Sequence, residues 1–140
     1  YLRFQVPDSW EILEKAGFGY DTTMGYPDMV GFRNGMCHPF RPYNLYTETE
    51  VNILEIPLVI MDGTLFDSVR SYDEAWDVAK RLVDTVASCN GVLTLNWHAN
   101  NFNCPFRSSW PRLYERILAY CREKEAWMTC GERIRGHFSC

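Results

Sequence analysis

The stretch that most constrains the fold runs from Ile53 to Met61. It reads Ile-Leu-Glu-Ile-Pro-Leu-Val-Ile-Met, with Glu55 as its one charged residue. An almost unbroken apolar run of this length reads as a strand covered on both faces. A strand that is covered twice needs helices packed on either side, so the chain is expected to be α/β. Asp62-Gly63 then supplies a polar stop.

The flanking patterns agree with that class. Residues 7–17, PDSWEILEKAG, predict a helix in which Pro7 suits the first turn, Asp8 and Glu11 can form a capping box and Gly17 ends the run. Its inward face is expected to be Ser9, Ile12, Leu13 and Ala16. Ser71 and Glu74 form a second capping-box pattern. The helix it opens carries a stripe of Ala75, Trp76, Ala79, Leu82, Val83 and Val86. A third helix is expected in SSWPRLYERILAYCREKE, with Leu113, Ile117, Tyr120 and Cys121 facing inward. Short strands are expected in YLRF, FGYDTTM, GVLTLNWH and AWMTC. Residues 25–50 show neither period and read as one long, functional loop. The alternation predicts mostly parallel strands in one domain spanning residues 1–140.

Composition narrows the function classes. The chain is 46% hydrophobic and 15% aromatic, enough for a core. A net charge of −4 and a pI near 5.3 argue against a nucleic-acid surface. No apolar run is long enough to span a bilayer. The chain opens on Tyr1-Leu2-Arg3-Phe4 with no signal peptide, and it reads as a portion of a longer protein whose compartment is not legible. Cysteines at 37, 89, 104, 121, 130 and 140 include no CxxC pair. A zinc knuckle is therefore not expected, buried free thiols are the default, and Cys140 is expected to be exposed.

Three polar residues fall at or near the carboxyl ends of expected strands: Arg3, Asp62 and His98. In a parallel sheet those ends share one rim, where ligands bind. A carboxylate beside a histidine fixes its tautomer and makes it a better proton carrier. An arginine keeps a second carboxylate ionised as a base. Each residue also has a plainer reading: a structural histidine, a turn aspartate and a solvated arginine. Glu55 wants a cationic partner, Arg33 or Arg41, or else a solvated sheet edge. Phe40, Tyr43, Tyr46, Trp97 and Phe102 can stack on sugar rings or pack the long loop onto the core.

The phrases YLRF, AGFGYDTTMGY, GFRNGMCHPFRPYNL, LEIPLVIMDGTLF and LTLNWHANNF resemble, in order, the carboxyl-terminal part of the polysaccharide deacetylase (NodB-homology) family, carbohydrate esterases of family four. The resemblance implies a partial (β/α) barrel and metal-dependent hydrolysis of N-acetyl groups on a sugar polymer. Leu95-Asn96-Trp97-His98 matches the family's Leu-x-x-His motif, so His98 would be the general acid and Leu95 would line the acetyl pocket. Arg3 matches the arginine that positions the catalytic base, and Asp62 the aspartate that orients the histidine. Arg33, Tyr43, Trp97 and Asn101 would contact the glycan.

The departure from the family is the first two motifs. The aspartate base, the metal-binding aspartate and the histidine pair spaced i, i+4 are expected upstream of Tyr1. His38, His98 and His137 form no such pair. A divalent metal, zinc, is implied for the complete enzyme, and none for this chain alone. Five short strands cannot close such a barrel, and the apolar face of Ile53–Met61 is expected to be exposed. The missing amino-terminal half, a second copy, or a smaller closed sheet would then cover it. Two rivals stand beside this reading: a non-catalytic glycan-binding or assembly module, and a metal-free hydrolase using Cys37 with His98.

Overall fold

The structure, a computed structural model, describes residues 4–138. Helix α1 is Asp8–Lys15, α2 Asp62–Asp67, α3 Tyr72–Ser88, α4 Ser109–Glu123 and α5 Gly131–Phe138. The strands are short: β1 Tyr20–Asp21, β2 Tyr43–Asn44, β3 Thr49–Glu50, β4 Leu54–Glu55, β5 Ile60–Met61 and β6 Leu95–Asn96. Pairs β1–β4 and β5–β6 are parallel, while β2–β3 is an antiparallel hairpin. The fold is mixed α/β, and among the described residues no barrel closes.

The Ile53–Met61 run is the axis, and Pro57 divides it. Before Pro57 the run pairs with the β1 side: Leu54 N donates to Gly19 O at 3.1 Å and Ile56 N to Asp21 O at 2.9 Å. Proline has no N–H to continue a ladder. Beyond it Leu58 N still reaches Met24 O at 3.1 Å, while Val59 N and Ile60 N turn to Thr94 O at 3.3 and 3.1 Å. One expected strand is thus two short ladders with different neighbours.

Residues 53–60 are all buried within this chain. On one side α2, α3 and α4 supply Leu65, Ala75, Ala79, Val83, Leu113 and Ile117 around Val59 and Ile60. On the other, Trp10, Met24, Val51 and Ile53 form a second core with Phe4, Leu13 and Phe40. The expectation of an exposed apolar face is corrected: these two cores cover it. The α3 and α4 stripes are as expected, with Trp76, Leu82 and Tyr120 at their half-buried margins. Asp84 joins the two helices, accepting from Lys80 at 2.7 Å, Lys124 at 2.8 Å and the Tyr120 hydroxyl at 2.7 Å.

Other expectations change. Helix α1 buries Trp10, while Ile12 is 64% exposed. Its capping box does not form, because Glu11 instead binds Asn44 and Lys15. At α3 half of the box forms, with Glu74 N donating to Ser71 Oγ at 3.1 Å, while the Glu74 carboxylate accepts from Arg70 N at 2.9 Å instead of from Ser71 N. Gly17 ends the α1 region at φ +85°, a conformation that suits glycine. The long loop holds the β2–β3 hairpin. Asp62-Gly63 opens α2 instead of ending in a turn. AWMTC is not a strand: among the described residues no ladder partner reaches it, and Trp127 stays 58% exposed. YLRF lies outside the described residues apart from Phe4. Of the described thiols Cys37 and Cys121 are buried, but Cys89 and Cys130 are exposed.

Candidate functional site

The site begins with strand register. Ile60 pairs with Leu95 and Met61 with Asn96, both strands running the same way. Their carboxyl ends therefore emerge side by side, and the next residues are Asp62 on one chain and Trp97-His98 on the other. Asp62 is wholly buried and His98 is exposed.

Four donors converge on the Asp62 carboxylate. Oδ1 accepts from Gly63 N at 2.7 Å and lies 2.6 Å from His98 Nδ1. Oδ2 accepts from His98 N at 2.8 Å and from Asn101 Nδ2 at 2.5 Å. Burial works to raise this carboxyl's pKa, but the donors from His98, Asn101 and Gly63 outweigh it and hold the pKa below the usual carboxylate value. An ionised Asp62 cannot donate, so Nδ1 carries the hydrogen in their contact. That leaves Nε2, on an exposed ring, as the nitrogen placed to give a proton or take one.

Around the pair sits a support that the sequence reading missed. Arg107 Nη1 donates to Asn101 Oδ1, and its guanidinium lies 4.4 Å from the centre of the Trp110 ring. Trp110 stacks on Phe66 with centroids 4.4 Å apart, and Phe66 meets Trp97 edge-on at 6.3 Å. Tyr114 bridges Trp97 and Phe102 at 5.4 and 5.5 Å. In sequence, the spacing of Arg107 and Trp110 three apart is the one local sign of this stack.

The expected site residues divide accordingly. Asp62, Trp97, His98 and Asn101 are brought together, with Leu95 half-buried just before them in β6. Asn101 faces Asp62 and Arg107 and is 3% exposed, so its amide supports the carboxylate instead of facing a ligand. The Trp97 ring is part of the aromatic wall. Arg33 instead donates to Gly25 O at 3.0 Å, and Tyr43 lies on the β2–β3 hairpin. No hydrogen bond, ion pair or ring contact links either of them to Asp62 or His98 among the described residues. Arg3 lies outside the described residues.

Two further expectations are corrected. Glu55 has neither arginine nor solvent: it is wholly buried and accepts from Trp10 Nε1 at 2.8 Å and Met24 N at 3.1 Å. Burial pushes its pKa up to about 8, with Asp21 beside it adding to the rise. Arg41 is taken by Asn52 at 2.8 Å. Cys37 and His98 do not form a nucleophile–base pair, since Cys37 is buried and His98 is held by Asp62. His38 Nε2, for its part, lies 3.0 Å from Cys89 O.

The residues present do not fit a divalent metal by themselves. Each Asp62 oxygen already accepts two hydrogen bonds, and among the described residues no three His, Cys, Asp or Glu side chains form a ligand group. No helix among the described residues is long and apolar enough to cross a membrane. Comparison with known proteins found no matching family model, no matching curated protein and no matching solved structure.

Proposed function

We propose that this chain is the proton-donating portion of a NodB-like polysaccharide deacetylase, acting on N-acetyl groups of a sugar polymer. The observation that carries the reading is the buried Asp62 holding His98 by both its ring and its backbone, with Nε2 left free at the carboxyl ends of two parallel strands. In the protonated ring Nδ1–H stays on Asp62 while Nε2–H is offered to the leaving nitrogen. The anion of Asp62 stabilises the charged imidazolium before transfer. Asn101 and Arg107 keep the carboxylate oriented, and Leu95 and Trp97 form the adjoining apolar wall. The aspartate base and the metal, zinc in this reading, belong to residues beyond this chain. The partial (β/α) barrel of that family is the architecture in which the two portions would meet, and the chain alone is inactive.

The aromatic surface favours a second reading, a glycan-binding or assembly module without catalysis. Phe102 and Phe106 are 41% and 97% exposed on the segment that also carries Asn101 and Arg107. Apolar faces of sugars stack on such rings.

The test is acetate release from an N-acetylchito-oligosaccharide. We expect none from this chain alone. Release is expected once the chain is joined to an upstream segment bearing an aspartate pair and an HxxxH, and His98→Ala lowers kcat at least about 100-fold in the joined protein. Binding of the oligosaccharide without release would favour the module. Release that is indifferent to His98 would remove the proposed acid.

A further inference from the structure

The long loop returns to the body of the protein at Cys37, against the segment that joins α3 to β6. Val92 N donates to Cys37 O at 2.8 Å, and His38 Nε2 lies 3.0 Å from Cys89 O. A Cβ on Gly91 would collide with Cys37 Sγ, so the sulfur occupies the space that any other residue there would fill. Cys37 is buried and Cys89, at the carboxyl end of α3, is exposed. Burial first, and then the Cys89 sulfur beside it, push the Cys37 thiol up. Two cysteines far apart in sequence thus meet at one contact between loop and helix end, one open to solvent and one behind it.

We propose that Cys37 and Cys89 are the two halves of a reversible disulfide, formed by exchange with a small-molecule disulfide such as oxidised glutathione. The exposed Cys89 gives up its proton and its thiolate attacks one sulfur of the oxidant. The oxidant's S–S bond breaks, and one glutathione leaves as a thiolate that takes up a proton. Cys37 then loses its proton and attacks the Cys89 sulfur, expelling the second glutathione. Two protein thiols are oxidised and one glutathione disulfide is reduced to two thiols. The high pKa of Cys37 makes the second step the slower one. The new bond ties the loop bearing Arg33 to the chain leading into β6 and His98.

The full chain, treated with oxidised glutathione, alkylated and mapped by peptide mass spectrometry, tests this. We expect a peptide pair linking Cys37 to Cys89 and two thiols fewer than the six of the reduced chain. Tm should rise by roughly 5 °C or more and return on reduction, as closing a long loop predicts. Cys89→Ser, an exposed change, abolishes the link without altering the reduced fold. Cys37→Ala stops the reaction at a glutathione adduct on Cys89. A stable adduct on Cys89 in the unaltered chain would overturn the proposal, and so would linkage of Cys89 to Cys104 or Cys130. The map of the unaltered chain and of Cys89→Ser decides the matter even if Cys37→Ala does not fold.

Discussion

At the scale of single residues, two buried carboxylates are handled in opposite ways. Asp62 is ionised because four donors surround it, and Glu55 keeps its proton up to about pH 8 because burial outweighs the two donors that reach it. For Glu55 the folded pKa, about 8, lies above the ordinary 4.5. The folded state therefore holds the extra proton, its contribution is complete below pH 4.5, and stability falls as pH rises through 8. Urea melts across pH 5–9 should show this decline, a few kcal/mol at most, and Glu55→Gln should flatten it. Asp62 has the reverse sign: its stabilisation is present above the usual carboxylate pKa and is lost as pH falls below it. Asp62→Ala leaves the Asn101 amide and the His98 N–H without their buried acceptor and should cost about 3 kcal/mol in the same melts. The pairing of Asp62 with His98 was legible, since both stand where apolar runs end. The neutral Glu55 was not, because sequence shows a charge but not the Trp10 indole that meets it from α1.

Among the elements, α1, α3 and α4 were readable, α2 and α5 were not anticipated, and of the expected strand runs only short pieces formed. A helix satisfies its own backbone, so a stripe such as Ala75, Ala79, Val83 and Val86 announces it locally. A strand exists only where a neighbour accepts and donates. AWMTC has strand-like residues and, among the described residues, no such neighbour, and Pro57 splits a run that otherwise reads as one strand. The α1 face was misread because Trp10, the residue that anchors it, lies outside the expected stripe of small and aliphatic residues. Helices α3 and α4 pack against each other in the larger core. Ile117 is wholly buried there, so Ile117→Ala should lower stability by about 2–5 kcal/mol in denaturant melts with α4 still formed.

For the molecule as a whole, the central chain from Ile53 to Ile60 is held from both sides by cores that this chain supplies itself. Hydrogen exchange should reflect that. Amides of Leu54, Ile56 and Ile60 and of the α3–α4 interior are expected to exchange slowest. Those of residues 99–108 and 126–130 should exchange fastest, and equal protection across the chain would contradict this layout. The α/β class was legible from the apolar run and the helical stripes. The coverage of that run was not, because the second core draws on Trp10 and Met24, which are scattered in sequence and gathered only by the fold. The Asp62 cluster has a consequence for how such a chain would work with another. His98 is anchored by its main chain as well as by its ring, so the direction of Nε2 is decided before anything docks. A partner arriving at this rim would meet an imidazole already aimed, with no conformational entropy of this chain lost in aiming it.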